Sequence, residues 1–326
     1  MAAKGQVAHV GAPLATVTGE SDSSMSHHDA SSHIYASLRA NLLICAAKLA
    51  AAFWTGSGAM LAEGIHTGAD SMNQLLLLRG VSEAKQPPDA DHPLGHGRNA
   101  YFWAFMVAIF MFLGGGVFSV YEGLHHLWHP EPIRYLGVAL AILGGSLLLE
   151  GWATFDNIRE FNRRRGSQGF WQYLRATKDS DLVVVFAENA ASVLGLVLAL
   201  AAIGLAKVTD DPRWDALGTL LVGLVLIGVA AYLATEIKSL LTGEAADPEV
   251  LQALRAIVEA DPQFARVLSS VAIQQGPGEV LVAAKVRLHD SLSGPQLVEA
   301  INGLERRFKE SRHDVRWLFI EPDVSA

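Results

Sequence analysis

The sequence predicts a polytopic α-helical membrane domain of six spans followed by a smaller C-terminal cytoplasmic α+β domain. Only 18% of the 326 residues are charged, against about a quarter in soluble domains, and the mean hydropathy is +0.27. The apolar excess falls in six blocks, near 36–54, 58–78, 101–121, 135–155, 182–206 and 217–235. Each holds roughly 20 residues, the length that crosses a bilayer core as helix. These blocks are apolar almost all round, whereas a helix on the surface of a soluble protein keeps a polar face. After the last block the composition turns mixed and soluble. The expected segments are therefore a disordered cytoplasmic tail over 1–33, a membrane domain over 34–240 and a cytoplasmic dimerisation domain over 241–326.

Charge placement orients this arrangement. Arg79, Lys85 and Arg98 flank the link between blocks two and three, and Arg159, Arg163, Arg164, Arg165, Arg175 and Lys178 fill the link between four and five. The other links carry fewer, with Arg134, Lys207 and Arg213. The positive-inside bias then puts both termini in the cytoplasm. The net charge of −8 comes with no basic stripe, so nucleic acid is not an expected partner. Cys45, the single cysteine, excludes an intramolecular disulfide and a thiolate metal cluster.

Taken in order, residues 1–33 are rich in Ala, Gly, Ser and His with no apolar period, and no signal-peptide pattern opens them. His27, His28 and His33 read as polar tail residues with weak capacity for metal. The first block ends near Trp54, and Gly56 and Gly58 turn the chain into the second. That block carries Glu63, His66, Asp70 and Asn73 at spacings of three and four, which puts them on one helical face. Each ionisable group at membrane depth costs roughly 2.5 to 3.5 kcal/mol even on lenient scales. Such groups persist when they face a protein interior or an aqueous path. The link that follows sets Asp89, His92 and His96 within eight positions, with Gly95 and Gly97 allowing a close wrap.

The third block contains FLGGGVFSVYEG, whose glycines admit a close helix neighbour. Glu122, His125, His126 and His129 beside Trp128 read as an ordinary membrane boundary. The fourth block includes Glu150 and Asp156. The fifth opens DLVVVFAENAAS and places Glu188 and Asn189 among small residues, which suggests close packing against the polar face of the second. Beyond 246, an acid-capped amphipathic helix, two alternating strands around Gly276, Pro277 and Gly278, a helix starting at Ser293 or Gly294 and a final strand give an α-β-β-α-β order. That order is ferredoxin-like, with the helices on one face of the sheet.

The ligand types define the chemistry. A divalent transition metal takes imidazole nitrogen and carboxylate oxygen, usually four ligands for zinc. His66 and Asp70 supply two, Glu188 a third, and Asn189, Ser192 or water a fourth. Because such ligands shed protons to bind, metal entry and proton release are linked at His66 and Asp70. The alternative is a hydrogen-bonded His66–Asp70 pair that only holds the bundle together. For the loop set, the alternative is that Asp and His are merely common in loops.

SGAMLAEGIHTGADSMNQ followed by DADHPLGHGR, six apolar blocks, and an α-β-β-α-β tail ending in WLFIEP resemble the cation diffusion facilitator family of zinc/proton antiporters. The likeness is greatest to the branch of zinc transporter 9 type. It implies that His66 and Asp70 are half of a transport site and that Asp89, His92 and His96 form a second metal site in the loop. In the family's fifth helix the usual pattern is H-x-x-x-D. Aligning Asp181 with an acidic residue common there puts Glu188 at the carboxylate position and Val184 at the imidazole position, so one imidazole of the usual set is absent. A site of one His and two carboxylates accepts zinc but raises manganese, iron, cobalt and cadmium as cargo. The resemblance further implies a homodimer in the lipid bilayer, with His289, His313, Glu321 and Asp323 as scattered tail candidates. It implies metal export from the cytoplasm by alternating access, with protons as counter-ion. The expected location is a bacterial inner (plasma) membrane. A second reading is a non-transporting scaffold or metal sensor with a degenerate site. Enzymatic activity is not expected, because no H-E-x-x-H or comparable motif is present.

Overall fold

The computed structural model describes residues 38, 41–130, 136–178 and 180–324. The expectations on residues 1–33, with His27, His28 and His33, and on Arg134 lie outside the described residues. Helix α1 spans Asn41–Thr55 and closes with the Thr55 hydroxyl donating to the Ala51 carbonyl at 2.7 Å. Gly56, at φ 72°, supplies the left-handed turn that a side chain resists. Helix α2 (Gly58–Ala84) starts on Ser57, whose hydroxyl accepts from the Met60 amide. The same hydroxyl donates to Asp215 Oδ1 at 2.9 Å, and the Gly58 amide donates to Asp215 Oδ2 at 2.9 Å. A buried carboxylate thus sits on the positive end of the α2 dipole.

Helix α3 (Asn99–Trp128) is continuous but passes through a π-helical segment, Met111–Val117, which contains the three successive glycines. Helices α4 (Leu136–Arg164), α5 (Phe170–Ala176), α6 (Ser180–Thr209) and α7 (Arg213–Thr242) follow. Helix α3 meets α7 along glycines: a side chain at Gly123 would press on the Leu220 backbone, and one at Gly223 on the Val120 backbone. Phe161 of α4 is fully buried among Phe170, Tyr173 and Phe186. It seats α5, which lies in the link between the fourth and fifth apolar blocks and which the sequence analysis treats only as a basic stretch.

Four helices, α3, α4, α6 and α7, are long and apolar enough to cross a membrane among the described residues, rather than the six expected. Helix α2 has 27 residues, about 40 Å at the usual rise, so length is not its shortfall. Its polar face lowers its hydropathy instead. The described part of α1 is shorter than a full span.

The C-terminal domain follows the expected order: α8 (Pro248–Ala260), β1 (Phe264–Gly276), β2 (Glu279–Leu288), α9 (Gly294–Ser311) and β3 (Val315–Pro322). Asp247 caps α8, its side chain accepting from the Glu249 amide at 2.9 Å, and Ser293 with Gln296 forms a capping box on α9. The sheet order is β1-β2-β3, antiparallel then parallel. The parallel pair requires a crossover, which α9 provides. Val250, Leu254, Val258, Leu304 and Phe308 are buried in the same core as the strand residues Val282 and Val286. Among the described residues this is a three-stranded sheet with one isolated bridge, Ala245 to Ile273, smaller than the full ferredoxin-like arrangement.

Candidate metal sites

Helix α2 presents His66, Asp70 and Asn73 at positions i, i+4 and i+7, one face of the helix. His66 and Asn73 are fully buried, and Glu188 of α6 is 6% exposed. His66 Nδ1 lies 3.6 Å from Asp70 Oδ1, beyond hydrogen-bond range. The Asn73 amide donates to Glu188 Oε1 at 2.7 Å, which joins α2 to α6. Both ring nitrogens of His66, Asp70 Oδ1 and Asn73 Oδ1 are buried with no protein partner. Buried polar atoms normally have one, so these four are open to an ion, a proton or water. Asp70 and Glu188 stand close enough for their charges to interact. Two carboxylates in that relation, one buried and one half-buried, repel until a cation or protons come between them.

The π-helical segment of α3 borders this site. A methyl group at Gly115 would lie 3.8 Å from His66 Nδ1 and 3.0 Å from a Leu226 methyl, so the glycine keeps room beside the imidazole. Val184, one turn before Glu188, is fully buried and offers no donor. The amide that bonds Glu188 is that of Asn73. The Thr154 hydroxyl of α4 donates to the backbone carbonyl of Asn189, expected as a fourth ligand, at 3.3 Å. The sequence places Asn73 on the right face; its contact with Glu188 needs the packing of α2 on α6.

The link between α2 and α3 has a different character. One donor atom each from Asp89, His92 and His96 lies within 4.8 Å of the others, the one such group of three among the described residues. Asp89 Oδ2 meets His96 Nε2 at 2.9 Å, and His92 Nδ1 lies 3.4 Å from Asp89 Oδ1. The backbone amides of His92 and Asp91 donate to Asp89 Oδ1 at 2.6 and 2.9 Å. The His96 hydrogen bond first, then these amides, holds the Asp89 carboxyl down to about 2. Gly95 takes φ 76°, which brings His96 back toward Asp89. The loop is also docked: Arg98 Nε donates to Gln275 Oε1 of β1 at 3.0 Å, and a methyl group at Gly276 would lie 2.7 Å from Gly97 Cα.

Elsewhere the expected candidates are dispersed. Glu321 and Asp323 both pair with Lys285, at 3.1 and 3.0 Å, and these contacts push the Lys285 ammonium up. Glu122 pairs with His126 at 3.2 Å. One further cluster joins α1 to α2 and α4: Lys48 of α1, fully buried, bonds Glu150 of α4 at 2.9 Å and lies 3.4 Å from Glu63 of α2. Glu63 and Glu150 stand out as charges within apolar blocks, as does Lys48, but their meeting depends on packing.

A membrane-helical domain with buried imidazole and carboxylate donors on facing helices is the architecture of a cation carrier. A model of the cation efflux transmembrane domain matches residues 34–242. The chain belongs to this cation efflux family, the cation diffusion facilitators, whose members are transporters and not enzymes. It is 36% identical over 241 residues to the proton-coupled zinc antiporter SLC30A9, mitochondrial, of Xenopus laevis, covering 73% of this chain and 43% of that protein. To the same antiporter of Homo sapiens it is 35% identical over 248 residues, covering 76% of this chain and 44% of that protein. The manganese efflux system protein MneP of Bacillus subtilis is 20% identical over 282 residues, covering 84% of this chain and 90% of its own. The chain spans a little under half the length of the two antiporters. Their mitochondrial descriptions give no support to the expectation of a bacterial inner membrane.

Proposed function

We propose that the chain is a divalent-cation/proton antiporter, with zinc as first cargo, that carries metal out of the cytoplasm through a site of His66, Asp70 and Glu188. The observation that carries this reading is the set of unpartnered buried atoms on His66, Asp70 and Asn73 beside Glu188. A divalent ion satisfies them and relieves the repulsion between the two carboxylates. Protons on His66 and Asp70 do the same when the ion leaves, which couples the two fluxes. The similar antiporters are named for zinc and protons, and the Bacillus relative for manganese. One imidazole with two carboxylates is a donor set that accommodates both metals, with iron, cobalt and cadmium as further candidates.

In this reading α1 and α2 complete six spans with the four longer helices. Residues 34–240 form the transport domain, 241–326 dimerise in the cytoplasm, and both termini lie on that side. Alternating access exposes the α2–α6 site to each side in turn. Asn73 holds Glu188 in place, Asn189 is a further candidate oxygen donor, and Asp89, His92 and His96 bind metal at the cytoplasmic face. Val184 favours one rival reading, a metal-sensing scaffold whose transport site is degenerate. Proteoliposomes with an imposed pH gradient decide between them. Metal flux driven by protons and lost in Glu188→Gln supports the antiporter; undiminished flux in that variant overturns the site. Metal binding with no proton release and no flux in the unaltered chain establishes the rival.

A further inference from the structure

One turn from the candidate transport site lies a cluster that this reading does not use. Lys48 is fully buried, and its ammonium has three protons to donate. They meet Thr67 Oγ1 at 2.8 Å, Glu150 Oε1 at 2.9 Å and Glu63 Oε2 at 3.4 Å. The Ser192 hydroxyl donates to the other oxygen of Glu150. Glu63, also fully buried, keeps Oε1 without a partner. A side chain at Gly195 would collide with that oxygen, so the space around it is held open. The oxygens come from α2, α4 and α6, and the ammonium from α1.

We propose that the Lys48 ammonium is a tethered cation filling a second cation site of the membrane domain, and that it thereby limits the chain to a single divalent ion in transit. Two carboxylates and one hydroxyl around one point, with Ser192 bracing the far oxygen of Glu150, are a donor set for a hard divalent cation. A structural ion pair needs one carboxylate for one ammonium, since any further buried charge costs more than it returns. Here the ammonium faces two, and one oxygen of Glu63 has no bond at all. Lys48 gives the cage one positive charge where a divalent ion would give two. The position fits the role: Glu63 and Thr67 bracket His66 on α2, and Ser192 follows Glu188 by one turn on α6. A free ion in this cage would sit roughly one helical pitch, about 5 Å, from the transport site and would repel the cargo. A tethered ammonium closes the cage to metal and holds α1, α2 and α4 together.

The limit to one ion in transit rests on the transport site proposed above; the occupancy of the cage does not. The test uses the full chain in nanodiscs with His92→Ala and His96→Ala to silence the loop. It measures bound Zn2+ and Mn2+ per chain and the metal-induced shift of the thermal midpoint. Lys48→Met is expected to bind a further divalent ion per chain, to melt lower than the parent without metal, and to regain that loss when metal is added. Lys48→Arg is expected to match the parent, and Lys48→Met with Glu150→Gln to lose the further ion. Lys48→Met with Glu63→Gln restores the cluster's net charge, so it serves if Lys48→Met fails to fold, and it is expected to retain a weaker further ion. The proposal is overturned when neither Lys48→Met nor this double variant binds more metal than the parent. Asp70→Asn separates the two readings: a parent that keeps its bound ion in this variant loses the assigned transport site and leaves the Lys48 result standing.

Discussion

The loop and the α2–α6 interface hold the same ligand types in opposite states. In the loop, Asp89, His92 and His96 are already gathered, bonded to one another and to backbone amides, and half open to water. In the helices, His66 and Glu188 are buried and Asp70 is half-buried, their donors are not gathered into such a group among the described residues, and several of their atoms have no partner. A preformed exposed site loses little on binding and holds its ion by local geometry. A buried site with unmet polar atoms stays costly until something enters it, which suits a place an ion passes through. Donor identity alone does not distinguish the two sets; burial and the fate of each polar atom do.

The largest test of this contrast is Asp70→Asn, expected to lower proton-driven metal flux by about 100-fold or more, because it removes a charge from a pair of carboxylates and a ligand together. His96→Ala is expected to change flux by about fivefold at most, the scale of exposed ion pairs. Equal losses in the two variants would erase the distinction. Next in size, Asn73→Ala leaves Glu188 without its bond and is expected to weaken metal binding by roughly 10- to 100-fold, as loss of an outer partner does. Calorimetry on the loop-silenced chain reads it directly.

Gly276→Ala presses a methyl group onto the Gly97 backbone and is expected to destabilise the loop's docking on β1 by about 1–3 kcal/mol, the usual scale of overpacking. A thermal melt with an unchanged midpoint would show that the loop is not held there. The smallest effect concerns pH. Asp89 is held low, at about 2, so its contribution is complete above the ordinary carboxylate value near ~4 and is lost as pH falls through about 2. Metal lost from the loop above about pH 5 is therefore not displaced by a proton on Asp89. Zinc titrations of Asp89→Asn should show the same pH dependence at lower affinity. A flattened profile would mean that Asp89 carries the proton competition.

Much of the architecture was legible in the chain. The apolar blocks appear as helices, α4 running past its block to Arg164, because hydrophobic length is a local property. The α-β-β-α-β order follows from periodicity and from the caps at Asp247 and Ser293. His66 and Asp70 stand out in the sequence because charge in an apolar helix is costly, and Asp89, His92 and His96 because they lie within one short loop. The count of spans was less legible: the polar face that draws attention to α2 is the same feature that lowers its hydropathy.

The sequence by itself determined which side chains share a helical face and which loop can close on a metal, since both depend on spacing along one stretch. Tertiary structure alone decided what faces them. It set Asn73 on Glu188 across 115 positions and Lys48 on Glu150 across 102. It also placed Gln275 on Arg98 across 177 and the π-helical glycines of α3 beside His66. These contacts belong to pairs of helices, or to a loop and a strand, and no periodicity within one stretch records how another will pack upon it.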